Sequence, residues 1–481
     1  MLNYEYQTVP YKHQEKTLAR CAHRKEFALF LEMGLGKSKV LLDNAAILYE
    51  AGKINALLII TPKGNLRNWD KNEIPKHLPD RINRKVVVWQ PNHTKAWKQE
   101  YCSLVLEEHS DRLEILTMNV EAFSTDKGLK FARSFVLGHD TMIAVDESTL
   151  IKNPQAKRTK NLLALSRDAE YKRILTGFPV TKTPLDLFAQ CAFLNPLLLG
   201  FKSYYAFKAR FAITKMRRMG HNSFQEVVGY HRLDELQGML KEFSARWTKD
   251  KCLDLPEKVY MQRSVELSDE QKKAYQQMKQ EALMIIEDEV YTTQTVLTQL
   301  MRLQQIVAGS LRTPDGELQL LPNNRIKETL SVLDEVSGKA IIFAVFQTDI
   351  EQLTKKIAET FGDDSVASYY GKTPQKDRES IIDRFQDEKD PLRFFVSNPH
   401  TGGRGLTLTA ASYMIFYSNS YDLELRIQAE DRIHRIGQEK SCTYVDMVCE
   451  NTVDEKILES LKKKVSISNE VLGEVKKWFQ N

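Results

Sequence analysis

Short apolar runs punctuate the first third of the chain, at 27–31, 57–61, 86–89, 113–117, 142–145 and 173–176, separated by segments with helical spacing. Continuous rather than alternating apolar runs of this length read as strands buried on both faces, and the intervals read as crossover helices. The pattern predicts a doubly wound, mostly parallel sheet, whose ligands sit at the carboxyl ends of the strands. Between Asn195 and Pro256 strand signals vanish. Residues 201–211, the basic patch 215–218 and residues 233–243 are expected to be helical. Residues 267–289 and 295–308 continue that reading, the first opened by Ser268 as a cap with Asp269 and Glu270 in its first turn. The turn-forming stretches 313–316 and 321–324 mark a boundary. Buried-strand runs then return at 340–345, 366–370, 394–397, 414–417 and 444–448, and 462–481 reads as a helix with a basic face ending near Trp478. The expected fold class is therefore α/β, with two lobes of doubly wound parallel sheet and a helical insertion between them, divided as 1–195, 196–322 and 323–481.

Length and composition narrow this further. A chain of 481 residues exceeds one ordinary core, and 42% hydrophobic with 28% charged residues is the balance of a globular enzyme. A net charge of +5, from 69 basic against 64 acidic residues, permits a nucleic-acid partner without requiring one. Cys21, Cys102, Cys191, Cys252, Cys442 and Cys449 show neither zinc-type pairing nor a disulfide framework, so no structural zinc is expected and a reducing cytosol is the simplest location. Residues 1–10 lack an apolar signal core and no run is long enough to span a bilayer. The expectation is a monomer without a membrane partner, cytoplasmic in a bacterium or a phage-infected cell, or nuclear in a eukaryote.

Three constellations carry chemistry. The first is Met33-Gly34-Leu35-Gly36-Lys37-Ser38, between an apolar run and a helical pattern. A glycine loop that opens a helix with Lys-Ser cradles nucleotide phosphates: the glycines admit close backbone approach, Lys37 reaches the β/γ-phosphates and the Ser38 hydroxyl ligates Mg²⁺. A strict Walker loop has glycine where Leu31 stands, so an ordinary strand-to-helix turn is the competing reading. The second is Asp146-Glu147 at the end of an apolar run. There Asp146 can hold the Mg²⁺ hydration shell and Glu147 can polarise the attacking water. The third is Gln428 to Gln438, in which a helix would place Arg432 and Arg435 on one face, able to stabilise charge on a transferred phosphoryl group. A solvated helix with ion pairs from Glu430 and Asp431 is the alternative.

The Arg432 to Gln438 stretch resembles motif six of the Swi/Snf-type branch of superfamily-two helicase-like ATPases, and Gln428-Ala429-Glu430-Asp431-Arg432 is similar to the annealing-helicase and fork-remodelling members. Other segments follow the family's order. Tyr11 to Gln14 resembles the adenine-reading glutamine motif, Glu32 to Ser38 motif one, Thr61 to Lys63 with Asn68, Trp69 and Glu73 motif Ia. Asp146 to Thr149 with Ile151 to Pro154 resembles motif two, Leu175 to Pro179 motif three, and Ile341 to Phe343 with Phe346 motif four. Ser397 with Thr401 to Leu406 resembles motif five, and Thr452 to Ile457 the closing segment. Leu31, Thr149 and Phe178 depart from the family pattern, the last two where hydrolysis is coupled to lobe movement.

The resemblance implies two RecA-like lobes and a DNA-dependent ATPase using ATP and Mg²⁺. It implies catalytic roles for Lys37, Asp146, Glu147, Arg432 and Arg435, with metal contacts from Ser38 and Asp146. Nucleotide contacts would come from Gln14, Met33, Gly34, Leu35, Gly36, Lys37, Ser38, Gly405 and Gln428. Its members generally track along double-stranded DNA, and the expected partner is duplex or branched DNA, remodelled at forks or junctions or cleared of bound protein. The backbone grips would be Lys63, Gly64, Asn65, Asn119, Gln347, Thr348, Thr401, Gly402 and Gly403, although Gly, Asn and Thr also dominate ordinary turns. The basic patch at 215–218 is as compatible with solvation as with DNA. An RNA-directed helicase and a non-hydrolysing scaffold remain the alternatives.

Overall fold

The computed structural model describes residues 4–105, 111–219, 222–287, 293–312, 317–403 and 406–472. The expected turn at 313–316, Gly405 and the end of the tail at Trp478 lie outside them. The chain forms two compact units, one built on residues up to Lys215 with Val227–Leu253, the other on Met216–Glu226 and Asp254–Val465.

In the first unit the apolar runs become β1 (Glu26–Leu31), β2 (Ala56–Thr61), β3 (Arg84–Val88), β4 (Leu113–Asn119), β5 (Thr141–Asp146) and β6 (Tyr171–Leu175). Two further strands, β7 (Ala212–Met219) and β8 (Asn222–Tyr230), pair with each other and are divided between the two units, and β9 (Ser244–Trp247) joins the main sheet of the first. The seven-stranded order is β3-β4-β2-β5-β6-β1-β9, with every pairing parallel. Strand periodicity sorts the apolar side chains onto two faces. Phe30, Leu58, Ile60, Leu116, Ile143 and Val145 enter one core, and Leu29, Leu31, Leu57, Ile59, Ala144 and Leu175 the other. Burial on both faces is what makes these strands read as unbroken apolar runs.

The wholly helical reading of 195–256 is corrected here. Ile213, Met216, Phe224 and Val228 on β7 and β8 are each more than two-fifths exposed, so this ribbon lacks the buried apolar face that announces a strand. The strand β9 is four residues long and is defined by pairing with Ala28 to Leu31 of β1, a contact between distant parts of the chain.

The second unit holds β10 (Lys258–Val265), a small antiparallel pair β11 (Ser310–Arg312) and β12 (Leu318–Leu320), and the strands β13 (Lys339–Phe343), β14 (Val366–Tyr369), β15 (Phe394–Ser397), β16 (Ala411–Phe416) and β17 (Cys442–Cys449). Its six-stranded parallel order is β10-β17-β16-β13-β15-β14. Helices Asp269–Glu287 and Thr293–Ala308 occupy the interval expected to be helical. The sheets thus draw strands from 244–247 and 258–265, inside the segment expected as an insertion. The fold is α/β with two RecA-like parallel-sheet lobes.

Candidate functional site

The stretch after β1 turns sharply into helix Lys37–Glu50, and the residue at its N-cap, Gly36, adopts φ 80°. No side chain caps this helix and its first turn carries no carboxylate. The unsatisfied amides and the helix dipole leave a site for anionic oxygen. Glycine is favoured at 36 because of that φ, and a Cβ there would also lie 2.2 Å from Gln14 Nε2 and displace that amide. The same Nε2 donates to the Leu35 carbonyl at 3.1 Å, His13 Nε2 lies 2.9 Å from that carbonyl, and Gln14 Oε1 accepts from Tyr11 N at 3.0 Å. Gln14 is thereby bolted to the loop. Lys37 Nζ donates to the Leu31 carbonyl at 3.2 Å, holding the ammonium over the end of β1.

Arg246 of β9 braces the loop from the side. It donates to the carbonyls of Phe30 at 3.0 Å and Gly177 at 2.9 Å, and its guanidinium lies 3.6 Å from Glu32. The other Glu32 oxygen accepts from Lys249 N at 2.8 Å. Sequence reasoning missed Arg246, since its signal exists only once β9 is seen to pair beside β1.

At the end of β5, Asp146 is held by three donors. Its Oδ2 accepts from Thr61 Oγ1 at 2.9 Å and Trp69 Nε1 at 3.0 Å, and its Oδ1 from Glu147 N at 3.0 Å. Glu147 is buried and takes the left-handed φ of 51°, a conformation that costs a non-glycine residue about 1–3 kcal/mol and clusters at functional sites. A third carboxylate, Glu73, stands in the same corner. Burial pushes its pKa up, hydrogen bonds from Asn68 and Ser38 oppose that, and the charge of Asp146 adds to it. The structure therefore gathers Ser38, Glu73 and Asp146 around one point beside the phosphate loop.

Beyond this corner, Ser148 Oγ donates to Gln190 Oε1 at 2.7 Å while Gln190 Nε2 donates to the Pro179 carbonyl at 2.8 Å. Lys152 Nζ donates to Thr181 Oγ1 at 2.6 Å. These bonds tie the segment after Glu147 to the 177–181 loop. Gln190 was not foreseen.

In the second unit, helix Leu423–Glu430 is capped by Asp422, which accepts from Glu424 N at 3.0 Å. Arg426 lies 3.5 Å over the Phe416 ring and pairs with both Glu430 and Asp446. Glu430 also accepts from Tyr260 Oη at 2.8 Å and lies 3.3 Å from Lys258 Nζ. The helix stops at Glu430, which corrects the expectation that Arg432 and Arg435 share a helical face. They lie in the turns that follow, joined instead through a shared acceptor: Arg432 Nη1 and Arg435 Nη1 donate to the Leu406 carbonyl at 2.9 and 3.2 Å. Gln428 Nε2 donates to Glu424 at 3.3 Å, and its buried Oε1 has no hydrogen-bond partner.

Of the expected backbone grips, Lys63 and Gly64 are exposed on the turn Lys63–Asn65 after β2, and Asn119 ends β4 with its Nδ2 donating to Glu121 at 2.8 Å. Because β2 lies between β4 and β5, these loops and Asp146 stand side by side on one edge of the sheet. Thr401 and Gly402 belong to the turn Pro399–Gly402, and Gly403 follows it. A Cβ at Gly402 would meet Ser397 Oγ at 2.4 Å and one at Gly403 the Pro399 carbonyl at 2.2 Å, so packing alone accounts for both glycines. Gln347 and Thr348 open helix Gln347–Phe361, with Gln347 Nε2 donating to Glu351 at 2.8 Å.

Residues 13–310 match the SNF2-related domain, and residues 323–437 match the helicase conserved C-terminal domain. The chain belongs to the SNF2-related family. This SNF2-related chain is 27% identical over 456 residues to the uncharacterized ATP-dependent helicase MG018 of Mycoplasma genitalium, covering 94% of this chain and 40% of that protein. It is 27% identical to the SWI/SNF chromatin-remodeling complex subunit snf22 of Schizosaccharomyces pombe, covering 92% and 26%. It is 26% identical to the DNA annealing helicase and endonuclease ZRANB3 of Bos taurus, covering 93% and 39%. The chain thus spans less than half the length of each. Among solved structures, the Sulfolobus solfataricus SWI2/SNF2 ATPase core in complex with dsDNA aligns at 26% identity and a TM-score of 0.44, covering 98% of this chain and 94% of that one. SNF2-related proteins are enzymes of the ATP-dependent helicase and translocase class. Among the described residues, no helix is long and apolar enough to cross a membrane.

Proposed function

We propose that this chain is the ATPase core of a motor that moves on double-stranded DNA and remodels forks or junctions or displaces bound protein. The observation that carries the reading is the corner where an uncapped helix N-terminus, Lys37, Ser38 and a triply hydrogen-bonded Asp146 converge. The residues fit ATP: the uncapped first turn of helix Lys37–Glu50 offers backbone amides, and Lys37 an ammonium, to a polyphosphate. They also fit Mg²⁺, a hard cation that takes a hydroxyl, a carboxylate and phosphate oxygens. Ser38 and Asp146 would hold it, and when bound it would neutralise charge on the phosphates.

In this reading Lys37 binds the β/γ-phosphates, and Glu147 orients and polarises the attacking water. Arg432 and Arg435 supply the positive charge that the departing phosphoryl group needs. Lys63, Gly64, Asn65 and Asn119, with Thr401 to Gly403, Gln347 and Thr348, grip the phosphate backbone without reading sequence. The annealing-helicase name of the bovine relative supports branched DNA as the substrate.

Purified protein is expected to hydrolyse ATP faster with duplex or forked DNA, to lose turnover on chelation of Mg²⁺, and to lose the stimulated rate in Lys37→Ala and in Glu147→Gln. Unchanged turnover in both variants overturns the assignment. A panel of fork, four-way junction, plain duplex, single-stranded DNA and RNA, scored for ATPase stimulation and strand exchange, separates the readings. Stimulation by RNA alone would make it an RNA motor, and no hydrolysis with any of them a scaffold.

A further inference from the structure

An open pocket of about 530 Å³ lies in the first unit, away from the phosphate loop, lined among others by His93, Thr94, Lys98, Lys127 and Phe131. Its place in the sheet is informative. The strand β3 is the edge strand, and Trp89 N, just past its end, donates to the Thr117 carbonyl of β4 at 2.8 Å, two residues before Asn119. All strands of this sheet run parallel, so the pocket continues the row of strand-end loops that passes from β5 through β2 to β4.

Its walls combine two kinds of surface. Helices Lys95–Val105 and Asp126–Leu137 both begin at the pocket, the first with Trp97 N on Thr94 Oγ1 at 3.1 Å, the second with Gly128 N on Thr125 Oγ1 at 3.1 Å. Lys98 and Lys127 stand in those first turns, and neither pairs with a carboxylate among the described residues. The nearby Asp126 is taken by Lys157 at 2.8 Å. Two helix N-termini and two unneutralised ammonium groups make the pocket electropositive. The remaining wall is aromatic: His93 stacks on Trp97 at 4.3 Å and meets Phe131 edge-to-face at 4.7 Å. Its buried Nε2 has no hydrogen-bond partner.

We infer that this pocket receives an unpaired nucleotide of a single-stranded DNA arm, its phosphates between Lys98 and Lys127 and its base against the His93 and Phe131 wall. Cation and aromatic surface together are what bind single strands irrespective of sequence, whereas the bases of a duplex are stacked away from such a wall. The pocket volume is that of a small-molecule site, large enough for one nucleotide. The inference rests on the DNA-motor reading and sharpens it, since a blunt duplex offers no such arm and a fork does.

The test uses the Lys98→Ala/Lys127→Ala double variant, with Phe131→Leu as a second variant that keeps apolar bulk but removes the ring. Binding is read by fluorescence anisotropy on a blunt duplex and on a fork carrying one single-stranded arm. The lysine variant is expected to lose fork affinity, to keep blunt-duplex affinity and DNA-free ATPase, and to lower the slope of log affinity against log salt on the fork by about 1.4, two single-strand phosphate contacts at about 0.7 each. Phe131→Leu is expected to weaken fork binding roughly 5- to 150-fold, the range for losing one stacked base. Equal losses on fork and duplex would make the pocket a general phosphate grip and overturn the inference, as would wild-type affinity for both. Failure of the motor reading itself shows separately, as wild-type ATPase that no DNA stimulates.

Discussion

Asp349 is fully buried on helix Gln347–Phe361, and neither of its carboxylate oxygens has a hydrogen-bond partner. Burial raises its pKa well above the ordinary carboxyl value, against the weaker pull of Arg325, whose charge is already engaged by Asp454. A carboxyl with a raised folded pKa contributes stability that is full below its unfolded pKa and is lost as pH rises through the folded one. The loss proceeds at about 1.4 kcal/mol per pH unit across that window. Asp349→Asn removes the titration, so its melting temperature should exceed that of the wild type at pH 8 and the gain should shrink toward pH 5 in calorimetry. A constant difference across that range would show that Asp349 is not the titrating group. Trp69 makes the complementary case at the site. Its indole hydrogen bond to Asp146 crosses 77 positions, a contact that no local pattern announces. Trp69→Phe keeps the ring and deletes the donor, and a lost hydrogen bond to a charged group is worth about 1.5–3 kcal/mol. The expected outcome is a higher Mg²⁺ concentration for half-maximal ATP hydrolysis, measured by titration.

At the scale of elements, legibility follows burial. Every strand buried on both faces announced itself as an apolar run, and the glycine loop and the carboxylate pair were legible because local chain geometry makes them. What escaped lacked such a signal: β9, whose four residues gain meaning only beside β1, the ribbon of β7 and β8 with no buried apolar face, and the stop of helix Leu423–Glu430 two residues before Arg432. That helix is held from within by Arg426, which stacks on Phe416 and pairs with Glu430 and Asp446. All three charges are nearly inaccessible, so replacing the arginine leaves buried Asp446 without its cation and Glu430 with Lys258 alone. Breaking a buried pair in this way costs about 3–5 kcal/mol. Arg426→Leu should therefore lower the melting temperature markedly, and turnover should fall with it, because the segment carrying Arg432 and Arg435 follows directly. Loss of turnover without loss of stability would instead give Arg426 a direct part in the chemistry.

At the scale of the whole molecule, the candidate phosphate and metal donors, Lys37, Ser38, Asp146 and Glu147, belong to one compact unit, and Arg432 and Arg435 belong to the other. The first set is organised without help from the second: Gln14, Thr61, Trp69 and Arg246, which hold it, are all its own unit's residues. Ground-state binding of ATP should then depend on the first unit alone. A guanidinium that acts on charge developing at the γ-phosphoryl group contributes chiefly to the transition state, and its removal lowers kcat while leaving affinity nearly unchanged. Removing such an arginine finger costs about 10³–10⁵ in rate where its effect is known. Arg435→Ala is therefore expected to bind a fluorescent ATP analogue like the wild type and to lose most DNA-stimulated turnover, while Lys37→Ala should lose binding as well. If Arg435→Ala weakens nucleotide binding as much as it slows hydrolysis, the arginine serves the ground state, and the division of labour between the two units fails.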